Sequence, residues 1–223
     1  PMNRRTTSSC LALVCLALSW PAHGGPAPDT LAPLASGVTT LRCGTLIDGR
    51  SATPRRDVAI RIEDGRIVSV GTFTPGAAGP VNGTVIDRSQ DTCLPGLIDA
   101  HAHVLIKTDD YQVDHLRRSS GYKALRGLNV VQEMLRSGWT TVRILGDADV
   151  AYAHLDVRTA IQEGLFTGPR LTGAGHYFSI TGGGGDLNFL GPEHQVVADG
   201  LGVDGVEAVR KAVDGARRHM VSI

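Results

Sequence analysis

Aromatic side chains are scarce, at 4% of 223 residues, and basic residues never run beyond pairs such as Arg55-Arg56 and Arg217-Arg218. A nucleic-acid partner needs a basic stripe for the phosphates and rings for stacking. With 22 basic against 22 acidic residues the formal net charge is zero, so no nucleic-acid partner is expected. No Gly-x-Gly-x-x-Gly opens a strand–helix unit, which argues against a dinucleotide-binding sheet. No Gly-x-Ser-x-Gly elbow is present and no cysteine stands in a catalytic context. The run Gly182–Gly185 is not followed by Lys-Ser or Lys-Thr, so it is a poor phosphate cradle. Internal repeats and low-complexity segments are absent.

The longest apolar run, Cys10 to Trp20, is too short to cross a bilayer. It follows Arg4-Arg5 and precedes Ala22-His23-Gly24, the order of a secretory signal and its cleavage site. Residues 1–24 are therefore expected to be a cleaved signal, with a secreted or periplasmic product and no membrane anchor after cleavage. Residues 25–37, rich in Pro, Ala and Gly, read as a flexible leader. Two cysteines remain, Cys43 and Cys93. Pairing in an oxidising compartment and separate burial as small apolar residues are both open.

What the chain does have is order. Its hydrophobic content of 42% and charged content of 20% suit a soluble globular protein. Val38–Cys43, Asp57–Ile62, Arg66–Gly71 and Thr84–Asp87 alternate like strands, with Asp64-Gly65 as a hairpin turn. Residues 38–93 are expected to form an antiparallel unit, the N-terminal part of a β-sandwich domain. From Leu94-Pro95-Gly96 the pattern changes. Strands are expected at Leu97–Leu105, Thr140–Leu145 and Arg170–Tyr177, and helices at Gly121–Ser137, Val157–Glu163 and Asp204–Met220. Val221 opens a further strand. This alternation implies an α/β fold with a parallel sheet, either open or a (β/α)8 barrel. A complete barrel takes about 250 residues, so residues 94–223 hold three βα units and a fragment of one.

The chemistry centres on Leu97-Ile98-Asp99-Ala100-His101-Ala102-His103-Val104. On a strand, residues two apart share a face. Ile98, Ala100, Ala102 and Val104 are expected to pack under helices. Asp99, His101 and His103 then face the other way, with the histidines at the strand's C-terminal end, where barrel enzymes build their sites. Two imidazoles side by side are metal-ligand chemistry. A His-x-His pair alone is weak, and two partly exposed histidines at a strand end are the bland alternative. His176 closes the third strand, as a pocket residue or a satisfied structural histidine. Arg143 is a candidate pocket cation, with Asp99 or Asp147 as a structural partner. His115, His154, His194 and His219 read as surface residues.

Three stretches, Gly44-Thr45-Leu46-Ile47-Asp48-Gly49, Ile62-Glu63-Asp64-Gly65-Arg66-Ile67 and Leu94 to His103, resemble the opening of the amidohydrolase superfamily. The imidazolonepropionase-like and Xaa-Pro dipeptidase-like (prolidase) branch is the nearest in pattern. Thr140-Thr141-Val142-Arg143, Gly168-Pro169-Arg170-Leu171 and Thr181-Gly182-Gly183-Gly184-Gly185-Asp186 continue it in order. The resemblance implies a metal-dependent hydrolase of amide bonds, acting on a dipeptide or non-peptide small molecule through metal-bound hydroxide. It implies one or two divalent ions, zinc first among them, with His101 and His103 as ligands. A bridging Lys, further His ligands and the general-base Asp would follow Ile223, so the 223 residues alone are expected to be inactive. Gly184 stands where the related motif has His, and Ile144 where an Asp follows Thr-Val-Arg. These positions, with Arg143, His176 and Asp186, are expected to shape the substrate pocket. A non-catalytic scaffold and an imidazolonepropionase-like cyclic-amide hydrolase stay open as alternatives, as does a homo-oligomer of the full-length protein.

Overall fold

Strands β1 (Val38–Leu46), β2 (Arg55–Glu63), β3 (Arg66–Thr72) and β4 (Thr84–Cys93) form one sheet in the order β3-β2-β1-β4. The structure is a computed structural model that describes residues 37–75, 83–106, 109–187, 189–191, 193–198 and 200–220. The expected signal at 1–24, nearly all of the leader at 25–37 and the strand opening at Val221 lie outside the described residues.

Asp64 and Gly65, both at positive φ, make the tight turn between β2 and β3. β1 and β2 pair antiparallel, as do β2 and β3, but β4 lies parallel to β1. The expected all-antiparallel unit is thus a mixed sheet. The reason is topological: β3 and β4 occupy opposite edges, so no hairpin can join them. The β1–β4 register slips between Cys43 and Thr45, where a Cβ on Gly44 would lie 2.0 Å from the Ser89 carbonyl oxygen. Only glycine lets the two backbones approach that closely. Cys43, Leu46, Val58 and Ile60 form the core of this sheet, and a disulfide joins Cys43 to Cys93. The choice left open by the sequence is settled in favour of pairing.

A second sheet is wholly parallel: β5 (Leu97–Ala102), β6 (Trp139–Ile144) and β7 (Arg170–Gly173), in chain order. Helices α1 (Tyr111–Arg117), α2 (Ser120–Arg136), α3 (Ala153–Gln162) and α4 (Gly205–Met220) follow the strands, with a short parallel pair, β8 (Phe178–Ser179) and β9 (Leu201–Gly202), before α4. Ser119 caps α2, its side chain accepting from the Tyr122 N–H at 3.2 Å. The core between sheet and helices contains Ala102, Val104, Leu105, Val131, Val142, Ile144, Ala153, Val157 and Leu171.

Several boundaries differ from expectation. β5 ends at Ala102 rather than Leu105, because Val104 and Leu105 leave the strand to pack into the core. β7 ends at Gly173, not Tyr177. α3 begins at Ala153 rather than Val157, since its first turn buries His154, a residue that masked the apolar periodicity. α1 was not foreseen; seven residues are too few for a periodic signal. Ile98 is 68% exposed and Ala100 is exposed too, not packed under helices. The β5 register slips between Asp99 and Ala102, so Ile98, which pairs with Thr141, no longer shares a face with the core residues Ala102 and Val142.

Candidate functional site

Ala102, Val142, Ile144 and Leu171 point into the helix-side core. Alternation therefore sends His101, His103 and Arg143 to the opposite face, near the C-terminal ends of β5 and β6. The β5 register slips between Asp99 and Ala102, and Asp99 pairs with the core residue Val142, so it does not share that face as expected. Asp99 Oδ1 accepts the His101 backbone N–H at 3.0 Å. The rings of His101 and His103 lie side by side, centroids 5.3 Å apart, in an edge-to-face arrangement.

The next link is the turn after β6. His103 Nδ1 lies 2.7 Å from the Gly146 carbonyl oxygen. A carbonyl only accepts, so Nδ1 carries the proton and the Nε2 lone pair is left for a ligand. Gly146 holds φ +101°, and a Cβ there would lie 2.7 Å from the Tyr177 backbone nitrogen. Asp147 follows, buried, with Oδ2 accepting the Leu105 N–H at 2.9 Å and Oδ1 the Ala148 N–H at 3.3 Å. Burial pushes its carboxyl up to about 6, against the pull of the Leu105 N–H and of nearby His103.

Asp149 is also buried and is fully engaged. Oδ1 accepts from Ser120 Oγ at 2.7 Å and from Lys123 Nζ at 3.0 Å; Oδ2 accepts the N–H groups of Ala151 at 3.1 Å and Ala153 at 3.0 Å. These donors hold its carboxyl below the usual range despite burial. Lys123 Nζ also donates to the Ala148 carbonyl at 2.9 Å and lies 2.9 Å from His115 Nδ1. His115 Nδ1 lies 3.1 Å from the Ala148 carbonyl oxygen as well, and its Nε2 lies 3.0 Å from Val197 O.

Two imidazoles sharing one tetrahedral ion at the usual metal–nitrogen length have ring centres roughly 5 Å apart, which matches the observed pair. The donor chemistry of His101 and His103 thus fits half of a divalent-metal site. Among the described residues no group of three or more His, Cys, Asp or Glu is arranged to hold a metal.

A family model described as the amidohydrolase family matches residues 92–219. The chain belongs to the amidohydrolase family. It is 30% identical over 194 residues to an ochratoxinase from Aspergillus niger, covering 79% of this chain and 39% of that protein. Among solved structures it is similar to a Xaa-Pro dipeptidase with methionine bound in the active site, at TM-score 0.72 and 26% identity, over 82% of this chain and 45% of that one. It is also similar to a prolidase complexed with N-methylphosphonate-L-proline, at TM-score 0.67 and 30% identity, over 81% and 44% of the two chains. The chain spans 39% of the length of the curated relatives it matches.

The other residues singled out in the sequence fall in different places. Arg143 is exposed, and neither expected partner is engaged with it: Asp99 and Asp147 bind backbone N–H groups instead. His176 is turned toward structure, its Nε2 donating to Val150 O at 3.2 Å and its ring stacked 4.2 Å from Tyr152. Gly184 is exposed, its carbonyl accepting from Tyr111 OH at 3.1 Å. Asp186 folds back to accept the Gly182 N–H at 2.7 Å, so the glycine-rich segment is a hydrogen-bonded turn rather than a loose loop. Ile144 is 2% exposed in the helix-side core and does not face the site. Two of the histidines assigned to the surface are buried: His115 in the Lys123 network, and His154, whose Nε2 donates to Ala174 O at 3.0 Å and whose burial keeps its pKa below the usual range. Sequence reasoning missed Lys123, Ser120 and Asp149. The Asp147-Ala148-Asp149 triplet after a strand was the available signal.

Proposed function

We propose that the protein carrying this chain is a metal-dependent hydrolase of amide bonds, Xaa-Pro dipeptidase-like, acting on a dipeptide or a small non-peptide amide. The supporting observation is the His101–His103 pair, with the His103 tautomer set by Gly146 so that Nε2 is available. His101 and His103 would hold a divalent ion, and zinc, a redox-inert Lewis acid that imidazole binds well, is the first choice. Such an ion supplies a water acidic enough to act near neutral pH and polarises the amide carbonyl. Arg143, exposed on the same face, offers a cation for a substrate carboxylate. Asp186 and the Gly184 turn would border the pocket, with His176 behind it.

The parallel sheet β5-β6-β7 is read as the opening of a (β/α)8 barrel, and the mixed sheet as part of a β-sandwich. The likeness to prolidase structures supports both readings. The Cys43–Cys93 disulfide supports export to a periplasmic or extracellular compartment. Activity belongs to the longer protein, since the described residues offer two metal ligands only.

The test is metal analysis and hydrolysis by the full-length protein, with Xaa-Pro dipeptides and N-acyl amino acids as substrates, before and after chelation. Bound zinc, turnover, and loss of turnover on chelation are expected. A protein with no bound metal and no turnover would overturn the proposal. That result would favour the non-catalytic scaffold, to which Gly184 in place of the motif histidine lends some weight.

A further inference from the structure

We infer that Lys123 and Asp149 are positioning residues for His103. The inference rests on the reading of His103 as a metal ligand. Histidine ligands are set by the hydrogen bond on the other ring nitrogen, and loss of such an outer partner weakens metal binding about 10–100-fold. Here that partner is the Gly146 carbonyl, at 2.7 Å from Nδ1. A glycine peptide at φ +101° has no side chain to hold it in place, so its direction depends on what fixes the residues around it.

On one side stands Asp147, stapled to the Leu105 N–H just beyond the histidine strand. On the other stands the Lys123–Asp149 pair. Lys123 grips the Ala148 carbonyl and the Asp149 carboxylate together, and Asp149 in turn gathers Ser120 Oγ and the N–H groups that start α3. Both side chains are almost wholly buried, at 3% and 2% exposure. Burial of an ion pair is weak evidence of a stability role, because an apolar pair of similar volume often does as well. It is good evidence for a fixed geometry, since four bonds on one carboxylate and three on one ammonium permit a single arrangement. The turn 146–149 is thereby pinned to α2, and the carbonyl that selects the His103 tautomer is pinned with it.

The experiment is ¹⁵N NMR of histidine-labelled, metal-free full-length protein at a pH where His103 is neutral, with His103→Gln to assign the signal. In the unaltered protein His103 should show the Nδ1–H form. In Lys123→Met/Asp149→Asn, which removes both charges, it should move toward the Nε2–H form that unconstrained histidine prefers. Zinc affinity should drop about tenfold or more. Val131→Ala, a core change that lowers stability and removes none of the hydrogen bonds that hold the turn, should leave the tautomer alone. An unchanged His103 tautomer in the folded double variant overturns the inference, as does an equal shift in Val131→Ala. Should the double variant fail to fold, Ser120→Ala removes one bond from Asp149; a partial shift supports the inference and no shift overturns it. The tautomer is read without metal, so an unaltered protein that binds no zinc would sink the functional reading while the NMR result still decides the positioning.

Discussion

Reducing the Cys43–Cys93 disulfide should lower stability by about 4 kcal/mol. The bond closes a loop of 50 residues, and chain-entropy reasoning assigns a loop of that length about 4 kcal/mol at 25 °C. For a domain of this size the melting temperature should drop by roughly 8–16 °C. The loss should be local before it is global. β4 sits at a sheet edge with β1 as its only neighbour in that sheet, and the disulfide locks the end of that pairing. Amide exchange in Val85–Cys93 should therefore quicken more than exchange in β6, which lies between two strands. Cys43 is fully buried, so native-state reduction should be slow and should track opening of this sheet. The assay is calorimetry of the oxidised protein, the reduced protein and Cys43→Ala/Cys93→Ala, with thiol counting by mass spectrometry. Oxidised and reduced forms melting within about 2 °C of each other would refute the reasoning.

Asp147 should make stability depend on pH in the direction opposite to a salt-bridged carboxylate. Its folded pKa of about 6 lies above the ordinary 3.8, so the folded state keeps the proton longer. Its contribution is complete below pH 3.8 and is lost as pH rises through about 6, amounting to at most about 3 kcal/mol. Urea titrations of the metal-free protein should show this slope, and Asp147→Asn should flatten it. Gly184→His should fold without loss, since a Cβ at Gly184 meets nothing within 4 Å. In the full-length enzyme it should raise kcat/KM for Xaa-Pro dipeptides about tenfold, or about 1.4 kcal/mol; a fall would refute the role given to this position. His103→Gln gives up the Nδ1–H bond to the buried Gly146 carbonyl, so stability should fall by about 1 kcal/mol. It should weaken zinc binding by more than the roughly 10–100-fold expected of an outer-shell change, as measured by chelator competition.

Much of the architecture was legible because alternation and periodicity carry physical weight. The switch at Leu94-Pro95-Gly96, the strand that carries His101 and leads into His103, and the helix spanning residues 120–136 were all marked by apolar spacing. The parallel β4 was not legible, because period-two alternation says nothing about a strand's direction. α1 is too short to show a period, and α3 hides its first turn behind His154. The site divides the same way. The histidine pair is local in sequence and was found locally. The Lys123–Asp149 network joins residues 26 apart and became visible only once the helix lay against the turn. Buried charge is rare enough that a lysine in an apolar helix stripe reads as surface until a partner is seen.

Gly146 carries a consequence for anyone reshaping this protein. Its backbone dihedral, the wall formed by Tyr177 and the carbonyl presented to His103 meet in one residue with no side chain to vary. A randomised library that includes this position should return only glycine among folded, zinc-loaded clones, whatever new substrate is selected for. Diversity is better spent at Arg143 and Gly184, where the surroundings are open.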